Sequence, residues 1–402
     1  MRKSWAVMWA VYLSSVIVVI NQFKVPPVMK ALMQDLQVDL GTAGWLMSLF
    51  ALAGILLALP AAFLLNKFGP KHSGLIGLAC NTLGCVLGAL APSVTVLLAG
   101  RIIEGVGLAL IAVVAPAAVA MWFEPEEVGL PMGIWSTWVP VGSSIAYNIA
   151  TPLQAAYGWR GIWWVGAFLG VLAFIVHALV VTCPKPKEPD GPRSPTTSTL
   201  LCTRAFQNSG IWLLAFTFFA FMFSAVGYTT WAPIYYHEAF GINSATANFY
   251  TSLLYIANVI GALICGWVLV RVPNRRLVLI TAVIASTVLY PWGFILKSAS
   301  LIVPYMLARG FISVFIATTI FTLASETIPL PEASGSIMGI LIMGQNLGML
   351  VGPPVIGQAV KYGGKWAAGN YPVLLGMLLA TLATLLFAHL EKNARLKASS
   401  PA

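Results

Sequence analysis

Residues 5–30 read WAVMWAVYLSSVIVVINQFKVPPVMK. Sixteen apolar or small residues precede Asn21, Gln22, Phe23 and Lys24, and a proline pair follows at once. A segment of roughly 20 apolar residues is what a helix needs to cross the hydrocarbon core. Lys24 therefore has two readings. It ends a membrane span and reaches for water along its own stem, or the helix continues past it and the charge points into a cavity. Val25, Val28, Met29, Ala31, Leu32 and Met33 extend the apolar character, and QDLQVDLGTAGW (34–45) makes the clearer exit. The cavity reading is preferred on that ground. The proline pair is expected to bend the helix, because proline removes a backbone donor.

The whole chain supports a lipid solvent. Hydrophobic residues fill 59% of 402 positions and charged residues 8%, against about 25% charged in a soluble domain. So few charges cannot clothe a water-facing surface, and in lipid the backbone must satisfy itself inside helices. No small-residue cleavage site follows the first apolar run, so a removable secretory leader is not expected. The net charge of +10 is read as a topology signal, with no nucleic-acid partner implied. The five cysteines (Cys80, Cys85, Cys183, Cys202 and Cys265) show no C-x-x-C spacing and read as packing residues.

Twelve spans are predicted: about 5–32, 42–65, 73–91, 93–122, 129–153, 160–182, 210–237, 245–270, 276–296, 300–327, 334–360 and 370–390. The fold class is an all-α integral membrane protein, with an N-terminal six-helix bundle (1–183), a linker (184–209), a C-terminal six-helix bundle (210–391) and a tail (392–402). The linker has five prolines and mixed charges, which suits no packed element. Fourteen of the 22 basic residues fall on one side of this topology and five on the other. The positive-inside rule then puts both termini and the linker in the cytoplasm, for a multi-pass protein of the inner membrane. Lys24, Arg101 and Arg309 remain inside spans.

The halves repeat at an offset of about 206 residues. LLAGRIIEGVG around Arg101 matches PYMLARGFIS around Arg309, PMGIWS (131–136) matches IMGILI (337–342), and QAAYG (154–158) matches QAVKYG (358–363). Parallel repeats of six spans are one of the plans used by transporters, with the substrate site near the midplane.

With these motifs the chain resembles the major facilitator superfamily over nearly its full length. LLNKFGPK (64–71) is similar to that family's loop between the second and third helices, with Lys67, Gly69 and Lys71 matching. Asn66 stands in place of the usual aspartate, which removes the acid of a charged latch, and Ala62 in place of the first glycine. RIIEGVG (101–107) resembles the fourth-helix motif, with Glu104 at a position usually polar. VGSSIAYNIATP (141–152) does not match the fifth-helix motif of drug/proton antiporters. W-x-P-x-Y in GYTTWAPIYYHEAFG (227–241) and N-Q-F-K (21–24) loosely resemble patterns of the cyanate and nitroimidazole-type transporters. The resemblance implies a secondary transporter working by alternating access, a monomer with a small-molecule substrate and no cofactor.

A charge at the centre of a span costs about 2.5–3.5 kcal/mol on insertion scales, so each of the three buried cations asks for a reason. Lys24 and Arg309 are candidate anion-binding groups. Arg101 and Glu104 are three apart on one helix face; they read either as a self-contained structural pair or as a coupling site at which Glu104 carries a proton. Arg309 has no acid at three or four positions and reads as a substrate group or as an anchor. Further candidates for shape and hydrogen bonding are Asn21, Tyr228, Trp231, Tyr255, Asn258, Gln345 and Asn346, then Trp138, Tyr147 and Asn148. Gly344, Gly348 and Gly352 form a stripe for close helix packing. His177 and His389 lie near helix ends and read as capping or snorkelling groups. HEAFG (237–241) lacks the second histidine of a zinc site, and neither a phosphate-binding loop nor a nucleophile elbow occurs, so neither an enzyme nor an ATP-driven pump is expected. The substrate expected is a small organic or inorganic anion, with a carboxylate foremost and a coupled proton as an option. An exporter of hydrophobic cations and a ligand sensor that moves nothing are the competing readings.

Overall fold

The computed structural model describes residues 2–57, 60–124, 126–182, 206–327 and 334–399. Thirteen α-helices are found there, and no strand among the described residues. They are α1 (Arg2–Phe23), α2 (Met29–Leu36), α3 (Leu40–Leu56), α4 (Pro60–Ala89), α5 (Val94–Trp122), α6 (Gly129–Trp135), α7 (Trp138–Val180), α8 (Ser209–Phe240), α9 (Ser244–Arg271), α10 (Arg275–Leu289), α11 (Ile302–Thr327), α12 (Ser334–Gly363) and α13 (Asn370–Ser399).

Ten segments are long and apolar enough to cross a membrane. One of them, Gly129–Val180, holds 52 residues, which at 1.5 Å per residue is far more than one crossing. It turns at Gly158, whose φ of 67° lies in the left-handed region open to glycine. The apolar α3, 17 residues long, supplies one more crossing, and the number comes to the twelve expected. Leu179, Leu263 and Val270 are 77%, 75% and 85% exposed. Such large apolar side chains face lipid, since lipid tails are as apolar as leucine.

Breaks fall where the sequence removes a donor or adds a glycine. The first span stops as α-helix at Phe23, passes through a 3₁₀ turn at Pro26–Val28 and resumes as α2; the range Lys3–Leu36 remains one apolar span. The second span, expected at 42–65, differs: α3 ends at Leu56 and α4 begins at Pro60, with a break at Gly69 (φ 72°). The ninth leaves α-helix geometry at Tyr290, where Pro291 and Gly293 follow, and continues as a 3₁₀ turn to Ile295.

The described residues divide into two compact units. One comprises Met1–Asp190 with Thr229–Ile256; the other comprises Gly191–Tyr228 with Ala257–Ala402. Residues 183–205, most of the expected linker, lie outside the described residues. In the first unit α1 packs on α7 and α5, and α4 lies along α5 and α7. Its apolar core includes Val11, Val18, Leu78, Ile111, Ala118 and Ala173. His177 is fully buried there, with Nδ1 3.2 Å from the Ser14 hydroxyl and Nε2 3.4 Å from the Pro70 carbonyl. The expectation that it snorkels is corrected: α1 and the Gly69 break of α4 enclose it.

In the second unit the glycine stripe of α12 meets α8. A Cβ added at Gly344, Gly348 or Gly352 would run into the backbone of Ala215, Phe219 or Phe223 respectively. Backbone cannot yield as a side-chain end can. Gly348→Ala is therefore expected to cost about 1–3 kcal/mol by overpacking, whereas Gly266→Ala, with nothing within 4 Å of the new methyl, costs nothing. Thermal unfolding of the two variants in detergent, compared side by side, checks this; equal melting points would contradict the packing.

Candidate functional site

The end of α1 builds the polar centre of the first unit. A helix leaves its last carbonyls without intrahelical donors, and α1 ends at Phe23 inside a span. Arg101 on α5 supplies the missing donors: Nη1 donates to the Asn21 carbonyl (2.8 Å) and Nη2 to the Gln22 carbonyl (2.9 Å). Its Nε donates to the Leu46 carbonyl of α3 (2.9 Å), and Phe50 lies under the guanidinium, 4.5 Å from ring centroid to carbon. Arg101 thus closes the broken helix as a cap and ties α1, α3 and α5 together.

Glu104 is shared. One oxygen pairs with Arg101 Nη1 and the other with Lys24 Nζ at 2.9 Å. Lys24 also donates to Cys85 Sγ (3.2 Å) and Asn21 Oδ1 (3.4 Å), and its ammonium stands over the Trp163 ring at 4.6 Å. Asn81 links the pieces, accepting from Asn21 Nδ2 (2.7 Å) and donating to the Glu104 carbonyl (3.2 Å). Lys24, Arg101 and Glu104 are all buried. Lys24 is thus neither a span end in water nor a free cation: it is buried and neutralised by Glu104. The cluster holds two cations and one carboxylate.

Beside it, Tyr255 of α9 packs against Phe23 (5.5 Å between centroids) and Tyr147 (5.7 Å). Pro233 lacks an N–H, which leaves the Thr229 carbonyl without its helical donor, and the Tyr147 hydroxyl donates to it at 3.2 Å. Asn148 donates to Ser252 Oγ (3.0 Å), and Asn248 to the Pro27 carbonyl (3.3 Å) and to Thr151 Oγ1 (2.8 Å). Trp231 is fully buried in this unit as well. Trp138 stacks on Trp135 (5.4 Å) against the apolar core and away from these groups.

Arg309, the repeat partner of Arg101, stands in the second unit under different conditions. It is fully buried and has no carboxylate partner among the described residues. Its guanidinium carbon lies 3.6 Å from the centroid of Tyr290 and 4.2 Å from that of Tyr228. Nη1 donates to the Tyr305 hydroxyl (2.9 Å), one turn earlier on α11, and Nη2 reaches the Ala225 carbonyl at 3.5 Å. Nε is buried without an acceptor, and the Tyr290 hydroxyl is buried beside the Ser286 and Ser313 hydroxyls without a well-aligned hydrogen bond. The Tyr228 hydroxyl donates to the Gly293 carbonyl (3.3 Å). Gly293 has to be glycine there, because a Cβ would strike the Tyr228 ring and the Tyr305 hydroxyl.

The remaining candidates scatter. Asn258 accepts from Ser313 (2.8 Å), one turn beyond Arg309. Asn346 donates back to the Ile342 carbonyl (2.9 Å) on its own helix, and Gln345 is half-buried. Lys67 is exposed over Phe63 and Phe68, Gly69 forms the break of α4, Lys71 follows it half-buried, and the Asn66 side chain lies outside those described. Sequence reasoning missed Asn81, Cys85, Trp163, Tyr290 and Tyr305. Tyr305 alone carried a usable signal, its spacing of four from Arg309.

The shared carboxylate generates an asymmetry. Glu104→Gln leaves two buried cations without a counter-ion, and breaking a buried pair in this way costs about 3–5 kcal/mol. Lys24→Met leaves Glu104 with Arg101, a balanced pair, and the loss is smaller. Melting points in detergent are expected to fall much further for Glu104→Gln; equal losses would contradict the shared-carboxylate arrangement.

The sequence profile described as Major Facilitator Superfamily matches residues 11–353. An uncharacterized MFS-type transporter of Mycobacterium tuberculosis, Rv1250, is 27% identical over 180 residues, 45% of this chain and 31% of the relative. The multidrug resistance protein Stp of the same species is 30% identical over 133 residues, 33% of this chain and 25% of the relative. These matches reach less than a third of the relatives' length. The crystal structure of a bacterial homolog to the human lysosomal transporter Spinster superposes with a TM-score of 0.82 at 15% identity, covering 100% of this chain and 99% of that one. Span number, repeat and profile agree: the chain is a multi-pass membrane protein that belongs to the Major Facilitator Superfamily.

Proposed function

We propose that this protein is a secondary active transporter that moves a small anion across the inner membrane by alternating access. The observation that carries the reading is Arg309, a fully buried guanidinium with no carboxylate partner among the described residues and with an N–H left over. Burying an unpaired charge is costly, and intramembrane ionisable residues mark substrate paths. An anionic substrate supplies the missing counter-charge. Access to Arg309 requires the tyrosine cage to open, and a transport cycle provides that opening.

In this reading Lys24, Arg101 and Glu104 hold the broken first helix in place rather than grip the substrate. A coupled proton would enter at Glu104 and strip two cations of their counter-ion, so uniport or anion exchange fits the cluster better than symport. The bias of basic residues puts both termini and the 184–209 linker in the cytoplasm, between bundles 1–183 and 210–391, with a monomer as the working unit. Export of hydrophobic cations is the second reading, drawn from the name of the multidrug resistance relative. It calls for a free acid inside the membrane, and Glu104 is engaged twice.

The test is thermal unfolding of the purified protein with small carboxylates, cyanate, nitrate and phosphate, set against cationic drugs. An anion at 100 times its dissociation constant stabilises by about 2.7 kcal/mol. Anions are expected to raise the melting point of wild type and of Lys24→Met, and to leave Arg309→Ala unmoved. Stabilisation by cations instead, or by anions equally in Arg309→Ala, would overturn the anion reading.

A further inference from the structure

The surroundings of Arg309 narrow the anion further, resting on the reading of Arg309 as the anion group. A guanidinium offers five N–H donors in a plane and two π faces. Tyr290 and Tyr228 rings approach at 3.6 and 4.2 Å and occupy face-on space. Tyr305 takes one donor of Nη1, and the Ala225 carbonyl takes one of Nη2 at a long 3.5 Å. Nε has no acceptor. The donors left over are Nε–H and one N–H on each Nη, and a guanidinium holds Nε–H parallel to an N–H of one Nη. Two parallel N–H donors match the two oxygens of a carboxylate.

Charge sets a second limit. Among the described residues no other cation is paired with or stacked on these groups, whose neighbours are the three tyrosines, the Ser286 and Ser313 hydroxyls and backbone carbonyls. Lys24 and Arg101 are spent on Glu104. One unit of positive charge balances a monoanion. A dianion would enter with a net negative charge in a low-dielectric interior, at a desolvation cost that one guanidinium does not offset. A third feature completes the pocket: the Tyr290 hydroxyl, on the ring nearest the guanidinium, lies buried beside the Ser286 and Ser313 hydroxyls and makes no well-aligned hydrogen bond. A hydroxyl donor beside a fork of N–H donors gives a third bond to the same anion.

We infer that Arg309 and Tyr290 form a recognition site for planar monocarboxylates. The carboxylate lies edge-on to Nε and Nη of Arg309 and accepts a hydrogen bond from the Tyr290 hydroxyl. Dicarboxylates and the tetrahedral sulfate and phosphate ions are excluded by charge and by the rings at the guanidinium faces.

The experiment measures apparent dissociation constants by thermal shift on the purified full chain, with acetate, propionate and benzoate against malonate, sulfate and phosphate as probes. The variants are Arg309→Lys, which keeps the charge and loses the fork, and Tyr290→Phe, which keeps the ring and loses the hydroxyl. The expected result is binding of at least one monocarboxylate and of none of the dianions. Arg309→Lys and Tyr290→Phe each weaken that binding about tenfold or more, while unliganded melting points stay near wild type for Tyr290→Phe. If malonate, sulfate or phosphate binds best and depends on Arg309, the monocarboxylate inference is overturned and the anion reading stands. Unchanged affinity in Arg309→Lys and Tyr290→Phe overturns the inference in the same way. If no anion stabilises wild type, or organic cations do so instead, both fall together.

Discussion

Glu104 is the residue on which the first unit depends. Its carboxylate meets an ammonium on one oxygen and a guanidinium on the other. Those cations are not spare. Arg101 satisfies the carbonyls at the broken end of α1 with two of its nitrogens and the Leu46 carbonyl of α3 with the third. Lys24 sits at the first residue past that end. The break creates unsatisfied backbone, the backbone calls for a strong donor, the donor brings a charge, and the charge calls for Glu104. Each link follows from the absence of water in the bilayer core, where unsatisfied groups cost several kcal/mol.

The internal repeat makes the contrast with Arg309 informative. Arg101 and Arg309 occupy equivalent places in the two halves, yet the first is neutralised by a carboxylate and the second is surrounded by aromatic rings. Aromatic faces attract a cation through their quadrupole, by about 2 kcal/mol or more when desolvated. That attraction holds a guanidinium in place without cancelling its charge. A carboxylate at the same position would cancel it and close the site. The tyrosines therefore suit a cation that is meant to receive an anion, and Glu104 suits a cation that is meant to stay put. In the proposed reading, the two repeat positions serve one as a fastener and the other as an anion binder.

Sequence alone conveyed the solvent, the spans and the repeat, because each depends on residues counted along the chain. The kink at the proline pair was legible for the same reason, since proline acts on its own backbone. The pairing of Lys24 was not. Lys24 and Glu104 are eighty positions apart, and nothing local says which way an ammonium points once a helix has turned. The Arg101–Glu104 pair was visible at its spacing of three, but its third member was hidden, so a structural pair and a coupling site looked alike. Tyr290 was hidden too: it lies inside the expected ninth span (276–296), and only the 3₁₀ turn at 290–295 carries its ring under Arg309. Short-range rules reached Tyr305 and stopped there.

Helix breaks, more than charges, decide where chemistry collects in this chain. Lys24, Asn248 and Arg101 all serve the break in the first span, two of them by donating to freed carbonyls at residues 21, 22 and 27. Tyr147 serves the carbonyl that Pro233 leaves open. Tyr305 donates to the Tyr290 carbonyl, at the point where α10 gives way to its 3₁₀ turn (3.0 Å). A broken helix thus recruits polar side chains that an unbroken one would have no use for, and it holds them at fixed positions inside an apolar bundle. Once such groups are present for the backbone, a small change leaves one donor over. At Arg309 that surplus is Nε. In the proposed reading, binding capacity at Arg309 arises as a by-product of satisfying the backbone, which places the recognition group beside the helix break at Tyr290.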